Sequence, residues 1–390
     1  MKILTNIRFY RVAGIAQTLL SFLDYVKKHE SNINIIGVDI HKKGEPRSRM
    51  PKSLGRILTL LSPTISYKRL DQVVRRAKTV DDIRLAYQEI INTYANLIAE
   101  TKPDVILING TFVLPWCLYL AARKFSIPIV LHYHGILSKE IPHWPADKQN
   151  LIMDMEKLLQ ADDVKYIFPS LLAKKEVEEN IFQSPVKHSL ILRNPIRLVF
   201  FKEHQTARGN DIGFVTRWTP VKNFSFIEFL ARYNRQLGRP WRINIVTDLK
   251  RNAPSRKKMR SLVKFKNTID NKALPRFYRR MKVVLSPSIF ETYGNVAQES
   301  LACGTPALVS NNMGVVELYR ELGLDKWIID FSKVEVVVAQ VQAASQERVS
   351  KEVRDKLKNL CQPDRIYGDL INYLRAVLFF SLDYLPQLPF

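Results

Sequence analysis

The sequence predicts an α/β protein of two domains, each a parallel sheet with helices packed on it, and three observations carry that reading. Short apolar runs of strand length alternate with stretches of helical periodicity from Lys2 to Asp330. The clearest unit runs from Val283 to Glu317, where a strand, a loop, a helix and a second strand follow in succession. Midway, a polar run from Lys202 to Asn210 interrupts the apolar pattern, and 390 residues leave room for a core on either side of it.

Composition narrows the class. A hydrophobic content of 46% and a charged content of 25% are those of a globular protein. No apolar run reaches the roughly eighteen residues that a membrane-spanning helix needs. Met1-Lys2-Ile3-Leu4 enters a strand at once, without a cleavage site of signal-peptide type. Cys117, Cys303 and Cys361 lie far apart, which suits a reducing cytoplasm better than a disulfide framework or a metal site. A cytoplasmic protein is therefore expected. The net charge of +23 is the unusual feature. It implies attraction to nucleic acid, an acidic membrane surface or a phosphorylated substrate, although solvated surface charge would look the same.

In the first half, Lys2–Ile7 is strand-like and leads through the loop from Arg8 to Gly14 into Ile15–Lys28. There Leu19, Leu20, Phe22, Leu23 and Val26 recur at helical spacing. Asn34–Ile40 reads as a second strand. The loop-like stretch His41–Arg56 carries Lys42, Lys43, Arg47, Arg49, Lys52 and Arg56. It suits an anionic lipid head group or a pyrophosphate-linked acceptor, and equally a solvated loop. Ile83–Ile98 is expected as one long amphipathic helix. Pro103–Gly110 holds a buried strand that ends in turn residues, Val113–Lys124 a helix, and Ile127–His132 the next strand. His134-Gly135 comes just past its carboxyl end, the edge where open α/β sheets take ligands. His132 is expected to point elsewhere. Strands at Val164–Phe168 and Ser189–Leu192 follow, the second ending at Asn194-Pro195.

In the second half, Asp211–Val215 opens a new sheet. The loop Thr216–Asn223 leads to a helix from Phe224 and offers two cations, Arg217 and Lys222. Ile243–Val246 is the next strand. From Lys250 to Lys282 the chain is crowded with Lys and Arg, and Asp270 is its only acid. Interleaved Phe265, Phe277 and Tyr278 admit a nucleic-acid reading. But Leu274, Phe277 and Met281 are spaced as the core face of a helix, which leaves the charges outside. Asn267-Thr268-Ile269 precede that helix. Beyond Glu317 come a helical run, a last short strand at Trp327–Asp330, helices at Val334–Glu347 and Val353–Cys361, an amphipathic helix at Ile366–Leu378 and the apolar tail Phe379–Leu385.

The stretch 283–317 carries the chemistry. Val283–Leu285 reads as a buried strand stopped by Ser286-Pro287-Ser288, Glu291–Gly294 as a loop, Asn295–Ala302 as a helix ended by Cys303-Gly304-Thr305-Pro306, and Ala307–Ser310 as the next strand. A helix that opens at the carboxyl end of a parallel strand presents free N–H groups and a positive dipole end to an anion. Gly294 lets the backbone approach a ligand closely. Glu291 in the loop and Glu299 one turn inside the helix can each accept two hydrogen bonds from a vicinal diol.

Glu291, the seven residues after it, Glu299, and then Ala-Cys-Gly-Thr-Pro up to Glu317 resemble the signature of the retaining glycosyltransferases of family 4, which have the GT-B fold. The match implies two Rossmann-like domains facing across a cleft. The first would be an acceptor-binding domain over 1–198, completed by a returning C-terminal helix at 366–390, and the second a donor-binding domain over 209–365. Thr216-Arg217-Trp218-Thr219-Pro220-Val221-Lys222-Asn223 is similar to the family's Gly-Arg-(four residues)-Lys-Asn segment, with Thr216 in place of Gly. Ala13-Gly14 stands where a Gly-Gly pair is usual.

The resemblance further implies a nucleotide-sugar donor as substrate, with neither cofactor nor metal. Arg217 and Lys222 would neutralise the diphosphate, the N–H groups of Asn295 and Val296 would meet its distal phosphate, and Glu299 would take the ribose. Glu291 would position the hexose, and Gly14, Tyr293 and Gly294 would also contact the donor. Thr268 and Ile269 would border the base, and His134 would lie beside donor and acceptor. UDP with a glucose-type sugar is the expected donor, ahead of GDP-mannose. A glycan or lipid-linked acceptor in polysaccharide assembly is expected, at the inner face of the plasma membrane, with no nucleic-acid partner. A nucleotide-sugar epimerase on the same fold and a non-enzymatic binder of membrane or nucleic acid are the alternatives.

Overall fold

The computed structural model describes residues 1–8, 14–45, 54–202, 209, 211–238, 240–270 and 272–379. They form two compact units, one made of residues 1–193 with the chain from Ile366, the other of Asn194–Arg365. Residues 194–198, assigned above to the first domain, group with the second. The reason is local: Ile196 is buried in the second unit's core, and its N–H donates to the Cys361 carbonyl at 2.7 Å.

The first unit is built on a seven-stranded sheet of β1 (Lys2–Asn6), β2 (Asn34–Val38), β4 (Leu58–Leu61), β6 (Val105–Asn109), β7 (Ile129–His132), β8 (Lys165–Phe168) and β9 (Ser189–Ile191). The order is β4-β2-β1-β6-β7-β8-β9, and every pairing is parallel. Helices cover both faces of such a sheet, which is why β6 is buried at all five positions and reads as an unbroken apolar run. Two residues of the stretch read as a loop, His41–Lys42 (β3), pair with Thr64–Ile65 (β5) as a separate short ladder. Of the basic positions there, Arg47, Arg49 and Lys52 lie outside the described residues.

The helix expected over Ile83–Ile98 is two helices, Val80–Ala86 and Gln88–Thr101. Tyr87 breaks it with φ −113° and ψ 14°: its ring is buried and its hydroxyl donates to the Lys68 carbonyl at 3.1 Å. From Ile366 the closing helix, Pro363–Phe379, packs on helix Gly14–His29. The Tyr367 ring lies tilted against Phe22 at 5.5 Å and its hydroxyl donates to the Thr18 carbonyl at 2.7 Å, and Arg375 pairs with Glu30.

The second unit has β10 (Asp211–Val215), β11 (Arg242–Thr247), β12 (Lys264–Asn267), β13 (Val283–Ser286), β14 (Ala307–Ser310) and β15 (Ile328–Ile329), all parallel, in the order β12-β11-β10-β13-β14-β15. The chain moves outward from β10 to β12 and then restarts on the other side at β13. That reversal leaves a crevice beyond the carboxyl ends of β10 and β13, the place where open α/β sheets bind ligands. Among the described residues no helix is long and apolar enough to cross a membrane. All three cysteines are buried and unbridged.

Candidate active site

The loops that leave β10 and β13 are stitched together. After β10, Pro220–Lys222 make one 3-10 turn, and Asn223 takes the left-handed conformation at φ 55°. From there its side chain caps the helix Phe224–Gln236 by accepting the Phe226 N–H at 3.3 Å. After β13, the Ile289 N–H donates to the Val221 carbonyl at 2.8 Å, joining the two loops. Glu291 is fixed on its other side by the 312–314 segment: its N–H donates to Asn312 O at 3.1 Å, and its carbonyl accepts from the Gly314 N–H at 3.0 Å.

The result is a close ion pair. Lys222 Nζ lies 2.7 Å from Glu291 Oε1, with the side chains 14% and 18% exposed, and Ser288 Oγ donates to the same oxygen at 2.6 Å. Burial by itself pushes the Glu291 carboxyl up. The charge and hydrogen bond of Lys222, the Ser288 hydroxyl and the charge of Arg217 outweigh it, and the net shift is downward. Arg217 is exposed at the head of the same loop, so both cations predicted there act on Glu291.

Helix Asn295–Ala302 starts beside this pair. Gly294 turns the chain into it at φ 127°. A Cβ there would sit 3.0 Å from Val315 Cγ1 and 2.7 Å from the movable end of Met313, so the conformation favours glycine and the space is tight for anything larger. Asn295 opens the helix, its side-chain oxygen held by Asn194 Nδ2 at 2.9 Å and Gln298 Nε2 at 3.3 Å. Val296 follows it in the first turn, half-buried. The Tyr293 ring is buried and its hydroxyl donates to Gln298 Oε1 at 3.1 Å, so this side chain braces the turn rather than facing a ligand. Tyr278, Gln298, Asn194 and Ser288 are site residues that the sequence reading missed.

Glu299, in the same helix, accepts a hydrogen bond from Tyr278 Oη at 2.9 Å. Burial pushes its carboxyl up to about 7, against the opposing pull of that hydrogen bond and of Arg197. Burial also drives the Tyr278 hydroxyl well above its ordinary range, which keeps it a donor. The two acids of one motif are thus held differently: Glu291 is ionised at neutral pH, and Glu299 exchanges its proton near pH 7. Thr268, exposed, and Ile269, half-buried, lie just past the carboxyl end of the edge strand β12. The Cys303–Pro306 segment ends the helix. Gly304 has φ 79°, Ser300 Oγ donates to Thr305 O at 3.0 Å, and Thr305 Oγ1 donates to Tyr278 O at 2.9 Å.

In the first unit the predicted residues are His134 and Gly14. Asn6 and Asn109 end β1 and β6, the strands flanking that sheet's own reversal, and they exchange hydrogen bonds at 2.8 and 2.9 Å. Asn109 Oδ1 lies 3.3 Å from His134 Nε2. His132 does not point away as expected: its ring lies 4.1 Å from that of His134. The ladder continues one residue past His132, with the Tyr133 N–H donating to the Ile167 carbonyl at 2.8 Å, so positions 132 and 134 still share a face; His132 is buried and His134 half-buried. Burial lowers the His134 pKa to about 4 and that of His132 well below its usual value, so both are neutral at ordinary pH. Gly14 is the first residue of helix Gly14–His29, and Ala13 lies outside the described residues.

Comparisons with known proteins identify the fold and the family. Residues 197–360, nearly the whole second unit, match the family model Glycosyl transferases group 1. An uncharacterized glycosyltransferase of Methanocaldococcus jannaschii is 33% identical over 310 residues, covering 66% of this chain and 78% of that one. Among solved structures, sucrose-phosphate synthase from Thermosynechococcus elongatus aligns with a TM-score of 0.75 at 13% identity, over 97% of this chain and 99% of its own. The E. coli trehalose-6-phosphate protein bound with UDP-2-fluoro glucose aligns with a TM-score of 0.67 at 13% identity, over 98% and 100%. These likenesses make the fold GT-B. With a relative of that identity and coverage, the chain belongs to the glycosyltransferases, and its second unit carries a group 1 domain over residues 197–360.

Proposed function

We propose that the chain is a retaining hexosyltransferase of family 4 that moves a glucose-type sugar from a UDP-sugar to a glycan or lipid-linked acceptor in polysaccharide assembly. The observation that carries the reading is the Lys222–Glu291 pair, held rigid beside the glycine-led start of helix Asn295–Ala302. A diphosphate at that helix end would find backbone N–H groups, the positive dipole end and the charges of Lys222 and Arg217. Those cations stabilise the leaving group as its charge grows, when the sugar–phosphate bond breaks. Glu291, ionised and acceptor-only, would take hexose hydroxyls, and Glu299 the ribose diol.

For retention the acceptor oxygen bonds to the anomeric carbon on the face from which the phosphate leaves. Its proton passes to a leaving phosphate oxygen, so no enzyme nucleophile is needed. The neutral His134 would lie on the acceptor side and hydrogen-bond a sugar hydroxyl. UDP is the base to test first, since the E. coli structure of like fold carries a UDP-sugar.

A thermal-shift screen of UDP, GDP and ADP with their sugars tests the donor, because a ligand bound only by the folded state raises Tm. Product anomers from the best donor then report retention. Transfer by Glu291→Gln or Lys222→Met at the wild-type rate would remove the basis of the proposal.

A further inference from the structure

The second unit keeps a helical face that the donor chemistry does not use. β10, β11 and β12 are laid down side by side in one direction. Right-handed crossovers therefore put the two connecting helices, Phe224–Gln236 and Pro254–Met259, on the same side of the sheet. Their contacts agree. Trp218 stacks on Phe224 at 5.7 Å and meets Phe265 edge-on at 5.9 Å, and the Arg256 guanidinium lies 5.2 Å from the Phe265 ring.

On the outside of the first of these helices, Phe229 is 53% and Leu237 46% exposed, and Tyr233 stacks on Phe229 at 6.4 Å. The three form a ridge at successive i, i+4 positions. The helix already buries Phe226, Ile227, Leu230 and Ala231 in the core and rests one side of the half-buried Tyr233 on it, so Phe229 and Leu237 are not needed for packing. Single exposed apolar residues are ordinary on a protein surface, but a row of them marks a contact. Around the ridge and on the second helix, Arg232, Arg235, Arg251, Lys257, Lys258 and Arg260 are exposed. None of the six forms an ion pair with a described residue.

We propose that this helix layer docks on an anionic lipid bilayer. The ridge of Phe229, Tyr233 and Leu237 enters the head-group boundary, and the basic side chains meet lipid phosphates. The combination selects this partner over two others. A nucleic-acid backbone would use the charges and leave the ridge in water. A second copy would cover the ridge but press two basic surfaces together.

The test uses the full chain and sedimentation with vesicles of phosphatidylcholine alone, or with about one third phosphatidylglycerol, at roughly 0.1 and 0.5 M salt. Two variants are compared with the wild type: Phe229→Ser with Leu237→Ser, and Lys257→Glu with Lys258→Glu and Arg260→Glu. Wild type should partition onto the anionic vesicles alone and come off at high salt. The charge reversals should lower the partition coefficient about a hundredfold or more, and the ridge variant about tenfold or more, both with an unchanged Tm. Unaltered partition in either variant overturns the proposal. So does preference for a DNA duplex over the vesicles, or a dimer that the ridge substitutions dissolve. Binding is read without any donor, so failure here leaves the glycosyltransferase assignment standing.

Discussion

Replacing Lys222 by methionine keeps the apolar stem and removes one charge. The ammonium lies 2.7 Å from Glu291 Oε1, and the two side chains are 14% and 18% exposed. Without it, Glu291 is a carboxylate that burial disfavours, opposed only by the Ser288 hydroxyl and Arg217. Breaking a fully buried pair from one side costs about 3–5 kcal/mol, and an exposed pair is worth about 0–1 kcal/mol. This pair lies between those limits, and we expect a loss of about 2–3 kcal/mol, or roughly 4–12 °C in Tm for a unit of this size. The direction of the Glu291 shift should also reverse, because burial is the largest influence on it and the strongest opposing one is gone. A carboxyl raised in the folded state favours folding as it takes up its proton. The gap between wild type and variant is therefore widest above about pH 5 and narrows toward pH 4. Adding Glu291→Gln removes the stranded charge and should restore most of the loss, giving a coupling of about 1.5–2 kcal/mol across the cycle. Unfolding of the four proteins at pH 7 and pH 4.5 measures all of this. A Lys222→Met protein within about 0.5 kcal/mol of wild type, or strictly additive substitutions, would refute the reasoning.

Gly294→Ala combines backbone strain at φ 127° with a Cβ 3.0 Å from Val315, whose N–H is bonded to Tyr293 O, and should cost about 2–4 kcal/mol. Gly238→Ala, at φ 77° with open space around it, should cost only about 1 kcal/mol; equal denaturation midpoints for the two would sink the clash argument. Glu299, with its carboxyl near 7, accepts from both hydroxyls of a diol best when ionised, so the affinity for UDP should rise by up to about tenfold from pH 6 to pH 8. Glu299→Gln should flatten that profile in calorimetric titrations, and a wild type already flat would rule out the role. His134 is held near 4 in the folded chain against an ordinary 6.5. The folded state therefore binds fewer protons than the unfolded one between those values. The resulting stability is complete above pH 6.5 and lost as pH falls toward 4. His134→Asn should reduce the fall in Tm between pH 7 and pH 4.5, and an identical fall would argue against a ring held neutral in the folded chain.

How much of this was legible in the sequence follows from where each residue sits. A central parallel strand is covered on both faces, so Val283–Leu285 and Ala307–Ser310 are unbroken apolar runs and were placed within a residue. The helix between them is bounded by glycines at positive φ, and its limits could be read directly. β12 could not, because an edge strand needs only one buried face. Its Lys-Phe-Lys-Asn carries charge on the other, as exposed edges do, and was lost in the basic stretch. Tyr87 was hidden for a related reason: a helical pattern continues across it, and only its buried ring and its bond to Lys68 explain the break.

The site residues divide along the same line. Lys222, Glu291, Gly294 and Glu299 belong to short motifs in loops or at a helix start, where residue type alone signals chemistry. Their partners do not. Tyr278 occupies a helix whose spacing reads as core, Gln298 sits inside the motif without a charge, and Asn194 looks like a turn residue. Each becomes visible only through a hydrogen bond that crosses between elements, and periodicity within one element cannot predict such a bond. These partners nevertheless decide the electrostatics. Ser288 and Lys222 hold Glu291 ionised, whereas Glu299, with a neutral tyrosine as its bonded partner, is left near 7. Two glutamates at a fixed spacing look interchangeable in the sequence. Their neighbours make one a permanent anion and the other a group that ionises in the range where a ligand can tip it.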